Sequence, residues 1–449
     1  MIFSPVDRMK CMMLKYKKTE RRCGMETEKL KLNTGLIVRI SVVQLAIGVW
    51  DEILNSTLQN VLVMGFGKTE TFKGIIIAAS QLLTMLLLPV WGGLSDRCRA
   101  KRGRRSPFIL TGGFLCAASL ALSVLFLEKS NLFGFLTCFF VCAVAVCIAN
   151  PAATALVPDL TPKPLNANAS VINRIVCSLG GAWVVLLILF FDTDFTVIYL
   201  TAAGTILNST LFYLFAVPEN KLLARQKPLL EKYNGPKSDA QTSLSVMFRQ
   251  LTATEKRSFL MILAANFFTK TAYYAFSSAY LNYAVIKWNM QYSHSGLLTV
   301  AIYISGLVSI LLTAKIAEKC GRKRTLLLSY AIMLIGFLLA ATTKNFGFVA
   351  VLSLLLIGIG WSMESVLPLP MLVEMSNSGT VGIVTSVYTD SCKLGRVIGP
   401  FFMGLLLDSK RFGYRALYPT AAVFMVPALL SAPFIRHGNV QTTEGEKDE

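Results

Sequence analysis

The stretch "WGGLSDRCRAKRGRRSPFIL", residues 91–110, decides how the chain is read. Six of the ten residues from 97 to 106 are Lys or Arg, yet the cluster lies between two strongly apolar runs. A basic patch for nucleic acid has to form a face on a folded soluble domain. The composition excludes that setting: the 449 residues are 54% hydrophobic and 15% charged, with a mean hydropathy of +0.57. The formal charge of +19 is spread over short clusters between apolar runs, which is how a polytopic membrane protein carries charge.

A bilayer-spanning helix takes roughly 20 mainly apolar residues. Twelve such runs are read, at 36–63, 73–94, 107–127, 131–155, 166–191, 196–217, 258–286, 293–317, 325–343, 346–372, 381–408 and 415–435. The expected fold is therefore all-α, with twelve spans. It divides into an N-terminal segment (1–35), a six-helix bundle (36–217), a polar central loop (218–257), a second six-helix bundle (258–435) and a tail (436–449). Placing the N-terminus inside puts 31 of the 44 Lys and Arg residues in or beside cytoplasmic segments, so both termini are expected in the cytoplasm. An integral, multi-pass protein of the plasma membrane is the expected location.

The two halves read as repeats. "LSDR…GRR" at 94–105 has a shorter counterpart in "IAEKCGRK" at 316–323. "LVPDL" (156–160) corresponds to "MLVEM" (371–375), and Ser170-Val171 to Ser386-Val387. The offsets agree, between 215 and 222 residues.

On these motifs the chain resembles a major facilitator superfamily transporter. Five residues, 98–102, separate Asp96-Arg97 from Gly103-Arg104-Arg105, followed by "SPFI". That spacing resembles the sucrose and proton-associated sugar symporter branch and its glycoside-pentoside-hexuronide:cation symporter relatives. "ATALVPDLTP" (153–162), "GIGWSMESVLPLPMLVEM" (358–375), "IGPFFMGLLLD" (398–408) and "GYRAL" (413–417) are similar to the same branch. The resemblance implies two six-helix bundles rocking about a central site, with a cytoplasmic gate. The gate residues carried over are Asp96, Arg97, Gly103, Arg104 and Arg105, with Glu318 and Arg322 in the second half. Arg97, Arg104 and Arg105 are expected to reach carboxylates such as Asp159 or Glu374 and to latch the gate in the outward-facing state.

An ionisable group in hydrocarbon costs roughly 2.5 to 3.5 kcal/mol on insertion scales, so it normally faces a wet cavity or a partner. Asp51 and Glu52 lie mid-span on a polar stripe with Gln44, Gly48, Asn55 and Gln59, Asp51 being the better-placed cavity residue. Lys270 shares a stripe with Asn266, Tyr273, Tyr274 and Ser277, and sits 219 residues from Asp51. An ion pair from Asp51 or Glu52 to Lys270 across the pseudo-two-fold axis is expected; a fixed buried pair that only locks the bundle is the alternative. Arg174 is expected opposite Asp390, with an Asp390–Lys393 brace at i, i+3, and Arg174 or Arg396 as a donor to substrate hydroxyls. Glu364 beside Trp361 suggests a proton-carrying carboxyl and an indole free to stack on a sugar face. Span 4 offers only Asn150 and Thr154 before Asp159, so no proton site is expected there; either coupling falls to Asp51, Glu52 or Glu364, or the protein is not a proton symporter.

No phosphate loop and no nucleophile triad or metal-ligand spacing is present, which argues against an enzyme and against primary pumping. Most of the ten Cys sit singly in apolar runs and read as small hydrophobes, with no disulfide, metal or cofactor expected. Residues 1–24 differ from the rest, and Met25 opens an alternative start. The functional expectation is a monomeric secondary carrier for a sugar or glycoside in the lipid bilayer, driven by protons. Sodium-coupled symport, efflux and a non-transporting sugar receptor are the alternatives.

Overall fold

A computed structural model describes residues 33–162, 165–234, 248–249, 251–375 and 381–435. The expectations about residues 1–24, the tail and much of the central loop fall outside these.

Helix α1 runs over 34–65, as Thr34–Glu52 and Leu58–Asn60 with wider π turns at Ile53–Thr57 and Val61–Gly65. The first half continues with α2 (Glu70–Arg97), α3 (Ser106–Glu128), α4 (Leu132–Leu160), α5 (Asn166–Phe191) and α6 (Phe195–Ala216). A connecting helix, Glu219–Asn234, follows within the segment read as a polar loop. The second half comprises α7 (Ala253–Ser277, resuming as Tyr280–Lys287), α8 (Tyr292–Cys320), α9 (Arg322–Thr342), α10 (Phe348–Val366, resuming as Pro368–Glu374), α11 (Val381–Asp408) and α12 (Leu417–Ser431). The break in α10 falls at Leu367, before Pro368, which supplies no N–H to the preceding turn.

Nine of the twelve are long and apolar enough, among the described residues, to span a membrane on composition alone. The other three are α1, α7 and α11. These carry Asp51, Glu52, Lys270, Asp390, Lys393 and Arg396. Such helices are stable in lipid only if neighbours cover the charges, so their polarity already says where the interior site lies.

The packing is the same in each half. α1 lies on α5 and α6, α2 on α4, and α3 on α4 and α6; in the second half α7 lies on α11 and α12, α8 on α10, and α9 on α10 and α12. The halves meet along two seams, α2 on α11 and α5 on α8, which the same two-fold exchanges. With little hydrophobic drive between helices in lipid, close approach at small residues holds such seams. A Cβ on Gly74 would come 2.5 Å from the Pro400 carbonyl oxygen, and one on Gly404 the same distance from that of Glu70. Buried apolar side chains centre on Phe139 and Tyr199 in the first half and on Phe276 and Tyr330 in the second, with Tyr292 of α8 joining the first-half cluster.

Candidate functional site

The charged residues of α1, α7, α10 and α11 converge midway along the bundle. Directly after Asp51 and Glu52, α1 widens into its first π turn, a distortion frequent at functional sites. Ser56 bonds back to the Glu52 carbonyl at 2.7 Å and Asn60 to the Ser56 carbonyl at 2.8 Å.

Lys270 does not meet Asp51 or Glu52. Its Nζ lies 2.5 Å from Glu364 Oε2, both side chains being buried. The expected pair across the axis is thereby corrected. Positions related by a two-fold lie on opposite sides of the axis and touch only if they are close to it, so the 219-residue offset marked equivalence rather than contact. Lys270 takes the carboxylate within its own half. The same reasoning corrects the Arg174–Asp390 expectation: α5 packs on α1 and α8, α11 on α7 and α2. Arg174 is exposed and has no ion-pair partner among the described residues. Asp390 acts on Lys393 electrostatically without closing a bridge within 4.0 Å.

Arg396 is the cation that faces α1. Its Nη2 donates to Asn55 Oδ1 at 2.9 Å and lies 3.6 Å from Asp51, while the guanidinium sits 5.1 Å from the Tyr274 ring centroid. Asp51 is 46% exposed, and Glu52 only 3%. The expectation that Asp51 is the better-placed of the two is reversed. Glu52 lines the cavity, and its Oε2 accepts from the Tyr303 hydroxyl of α8 at 2.6 Å. Around that cavity stand Asn55 of α1, Tyr273, Tyr274, Ser277 and Tyr280 of α7, and Thr299 and Tyr303 of α8. The α7 stripe divides: Asn266 bonds Ser391 and lies against Cys392 of α11, Lys270 meets Glu364, and Tyr273, Tyr274 and Ser277 line the cavity.

Trp361 is not free. Tyr273 stacks on it at 3.7 Å and 11°, and Lys270 Nζ lies 3.8 Å from the ring centroid. The expectation of an indole open to a sugar face is corrected on both counts. Asn150 accepts from Thr154, which accepts from Gln44, so these residues brace α4 against α1.

At the end carrying the basic loop, Arg105 is buried. It bonds Asp159 at 3.0 Å, Asp96 at 2.6 Å and Ser95 at 3.0 Å, while Arg104 reaches Asp159 at 2.7 Å. Glu219 of the connecting helix, which sequence reasoning missed, accepts from the backbone N–H of Arg105 and of Ser106 and from the Ser106 hydroxyl. Gly103 has φ +139°, and a Cβ there would run into the Glu219 side chain. Arg97 reaches no carboxylate; it is exposed at the last turn of α2, where Cys98 turns away in extended conformation. Glu374 is held by Arg322 of its own half rather than by the first-half arginines, and Glu318 is exposed without an ion-pair partner among the described residues.

The opposite end holds a second polar group that the sequence reading passed over. Asp408, closing α11, accepts from the N–H of Glu70 at 3.0 Å and of Thr71 at 2.6 Å, at the N-terminus of α2. Asp192, closing α5 with φ +47°, accepts from the N–H of Ser293 at 2.6 Å, at the N-terminus of α8. The two aspartates stand 216 residues apart, within the repeat offset, and each caps a helix of the other half. Buried Glu70 is paired with Lys73 and accepts from Asn282 at 2.8 Å and Tyr414 at 2.5 Å; Lys73 donates to the Ser278 carbonyl at 2.7 Å. The signal for all of these was polar residues at or near span ends, whose partners spacing does not show.

The profile of the Major Facilitator Superfamily matches residues 40–400 and, overlapping, 262–448. A human protein named membrane-associated transporter protein is 38% identical over 61 residues, which is 14% of this chain and 12% of that protein. Among solved structures, a D-xylose-proton symporter superposes with a TM-score of 0.68 at 14% identity, covering 89% of this chain and 96% of that one. A bacterial homologue of the human peptide transporters PepT1 and PepT2 gives 0.68 at 15% identity over 90% and 99%. The inward open xylose transporter XylE of E. coli gives 0.66 at 14% over 92% and 98%. With the repeated packing, the two interchangeable seams and a charged site between the halves, the profile match identifies the chain as a member of the Major Facilitator Superfamily, a secondary transporter of the membrane rather than an enzyme.

Proposed function

We propose that the protein carries a small glycoside or oligosaccharide across the plasma membrane by alternating access, in symport with protons. The observation that carries the reading is the lining of the central cavity. Tyr273, Tyr274, Ser277, Thr299 and Asn55 present hydroxyl, amide and aromatic groups, and a single carboxyl, Glu52, completes the wall. Rings over the apolar faces of a sugar and hydrogen-bonding groups toward its hydroxyls are what a polyol needs, and a buried carboxyl is what a proton needs. The order "SDR…GRRSPFI" of the basic loop supports the sucrose and glycoside symporter branch. The excess of Lys and Arg at the basic end supports a cytoplasmic position for that end and for both termini. In that orientation the bonds of Asp408, Asp192 and Glu70 between the halves lie at the outer end. Asp51, Arg396, Lys270 and Glu364 then serve as the charged frame of the site, and the Asp96–Arg105–Asp159 network as part of the cytoplasmic gate.

The test is reconstitution into liposomes with a panel of labelled glycosides, sucrose first, under imposed proton and sodium gradients applied separately. Proton-driven accumulation is expected. Accumulation driven by sodium alone overturns the coupling ion, and absence of flux for every glycoside overturns the substrate class.

A further inference from the structure

From the cavity wall outward, four side chains of α7 and α10 stand one behind another. Tyr273 lines the cavity. Behind it Trp361 lies parallel, with ring centroids 3.7 Å apart and planes 11° from each other. Lys270 Nζ follows, 3.8 Å from the indole centroid, and Glu364 Oε2 lies 2.5 Å from that nitrogen. Two groups so near one ring lie on its opposite faces, so positions 270 and 273, one turn apart on α7, straddle the indole. Gly395 of α11 backs the lysine stem closely: a Cβ there would come 2.8 Å from the Lys270 Cβ. Lys270 and Glu364 are buried, and neither lines the cavity. Their charges balance, and what the ammonium reaches beyond its carboxylate is the indole. An ammonium is drawn to the face of an indole, more strongly where water is excluded, and the carboxylate holds it there. The edges of Tyr274 and Phe276 close on the Tyr273 ring from the sides, at 5.7 and 6.3 Å between centroids.

We infer that Lys270 and Glu364 are positioning residues: through Trp361 they fix the tilt of the Tyr273 ring, the platform on which the apolar face of the sugar rests. The assignment deepens the glycoside reading above and rests on it. A phenol in a cavity wall can otherwise turn about its side-chain torsions, and a sugar stacks only on a ring that keeps one tilt. Trp361 covers one face of Tyr273 and leaves the other to the cavity. All four residues belong to the second half, so none of these contacts is broken when the halves rock. Loss of the ammonium therefore weakens binding and spares the movement of the loaded carrier.

The experiment uses the full chain in liposomes and follows counterflow of labelled sucrose. Lys270→Met combined with Glu364→Gln removes both charges at once, which a buried pair tolerates far better than the loss of one partner. Half-saturation by sucrose is expected to rise about tenfold, the size of one well-made ring contact. The maximal rate is expected to stay within about twofold. Tyr273→Leu raises half-saturation as much, and all three substitutions together do no more than Tyr273→Leu alone, because they remove the same platform. A second readout needs no transport: the emission of Trp361, taken as the difference between the protein and its Trp361→Phe form. It shifts when the Lys270–Glu364 pair is removed, and acrylamide quenches it more strongly in Tyr273→Leu. Should the paired variant fail to fold, Trp361→Leu, which leaves the ion pair intact, takes its place beside Tyr273→Leu. Unchanged half-saturation, or a loss that adds to that of Tyr273→Leu, overturns the assignment. A wild-type protein that moves no sucrose counts against the glycoside reading, while an unshifted Trp361 emission counts against the positioning role itself.

Discussion

The two ends of the bundle are both rich in polar bonds, but the bonds run in different directions. At the basic end they stay within a half: Asp96, Arg105, Asp159 and Glu219 in the first, Arg322 with Glu374 and Lys323 with the Pro433 carbonyl in the second. At the other end they cross between halves, through Asp408, Asp192, Glu70, Lys73, Asn282 and Tyr414. Among the described residues, every hydrogen bond or ion pair specified between the halves lies at that end or at the midplane. Among the described residues, then, the bonds at one end hold each half together, and those at the other end hold the halves to each other. The basic loop, which looks like a latch in the sequence, is in this conformation the framework of a single half.

That contrast breaks most sharply at Arg105. Arg105→Ala removes the bonds to Asp159, Asp96 and Ser95 together; Asp159 keeps Arg104 and Asp96 is largely exposed, so the loss is that of the charge-assisted bonds themselves, about 1.5 to 3 kcal/mol each. The expected outcome is a large fall in the melting temperature of the purified protein, with no selective opening of the end that carries Asp192 and Asp408. An unchanged melting temperature with altered access would move the basic network among the bonds that hold the halves to each other.

A smaller effect of the opposite kind is expected at the bonds between the halves. Asp408→Asn weakens two charge-assisted bonds and a helix-dipole contact, about 1 to 3 kcal/mol, and Asp192→Asn weakens one. Both should shift the population toward the form open at this end, Asp408→Asn by roughly tenfold or more and Asp192→Asn by less. Labelling of a cysteine introduced at Lys68 by a membrane-impermeant thiol reagent reads this shift. Equal effects from the two substitutions would mean that the seams are equally strong. The smallest effect is expected at Arg97, which has no carboxylate partner: Arg97→Gln should change stability by less than about 0.5 kcal/mol. A change as large as that of Arg105→Ala would show that Arg97 finds its carboxylate in another conformation.

Much of the fold was legible because hydropathy and repeat offset report where a span lies and what it is equivalent to. The twelve runs, the polar stripe of α1 and the tyrosine stripe of α7 follow from spacing alone. Contact partners did not follow. Lys270 has three acidic residues at comparable depth in α1 and α10, and which one it meets depends on helix rotation and crossing, which a single chain's periodicity leaves open. The bonds between the halves were hidden for another reason. Asp408 was read as the last residue of a span and Asp192 as the first of a loop, and both accept from backbone N–H groups, which every residue but proline carries. Only the 216-residue interval between them, already the interval of Ser170 and Ser386, offered a signal. Glu219 was similarly masked by a central segment too polar to be read as a helix.

The two seams are alike in geometry but not in strength. The α2–α11 seam carries the paired bonds of Asp408, the Thr71 bond to the Gly404 carbonyl and two tight glycine approaches, and Glu70 adds its bonds to Asn282 and Tyr414 beside it. The α5–α8 seam has, among the described residues, the Asp192 bond to Ser293 and a looser contact at Gly296, whose Cβ would stand 3.4 Å from Ile188. When the end that carries Asp192 and Asp408 parts, it therefore parts unevenly, like a book with its spine along α2 and α11. The first portal opens beside α5 and α8, so a solute arriving from that face enters obliquely, over Asp192, and not down the two-fold axis.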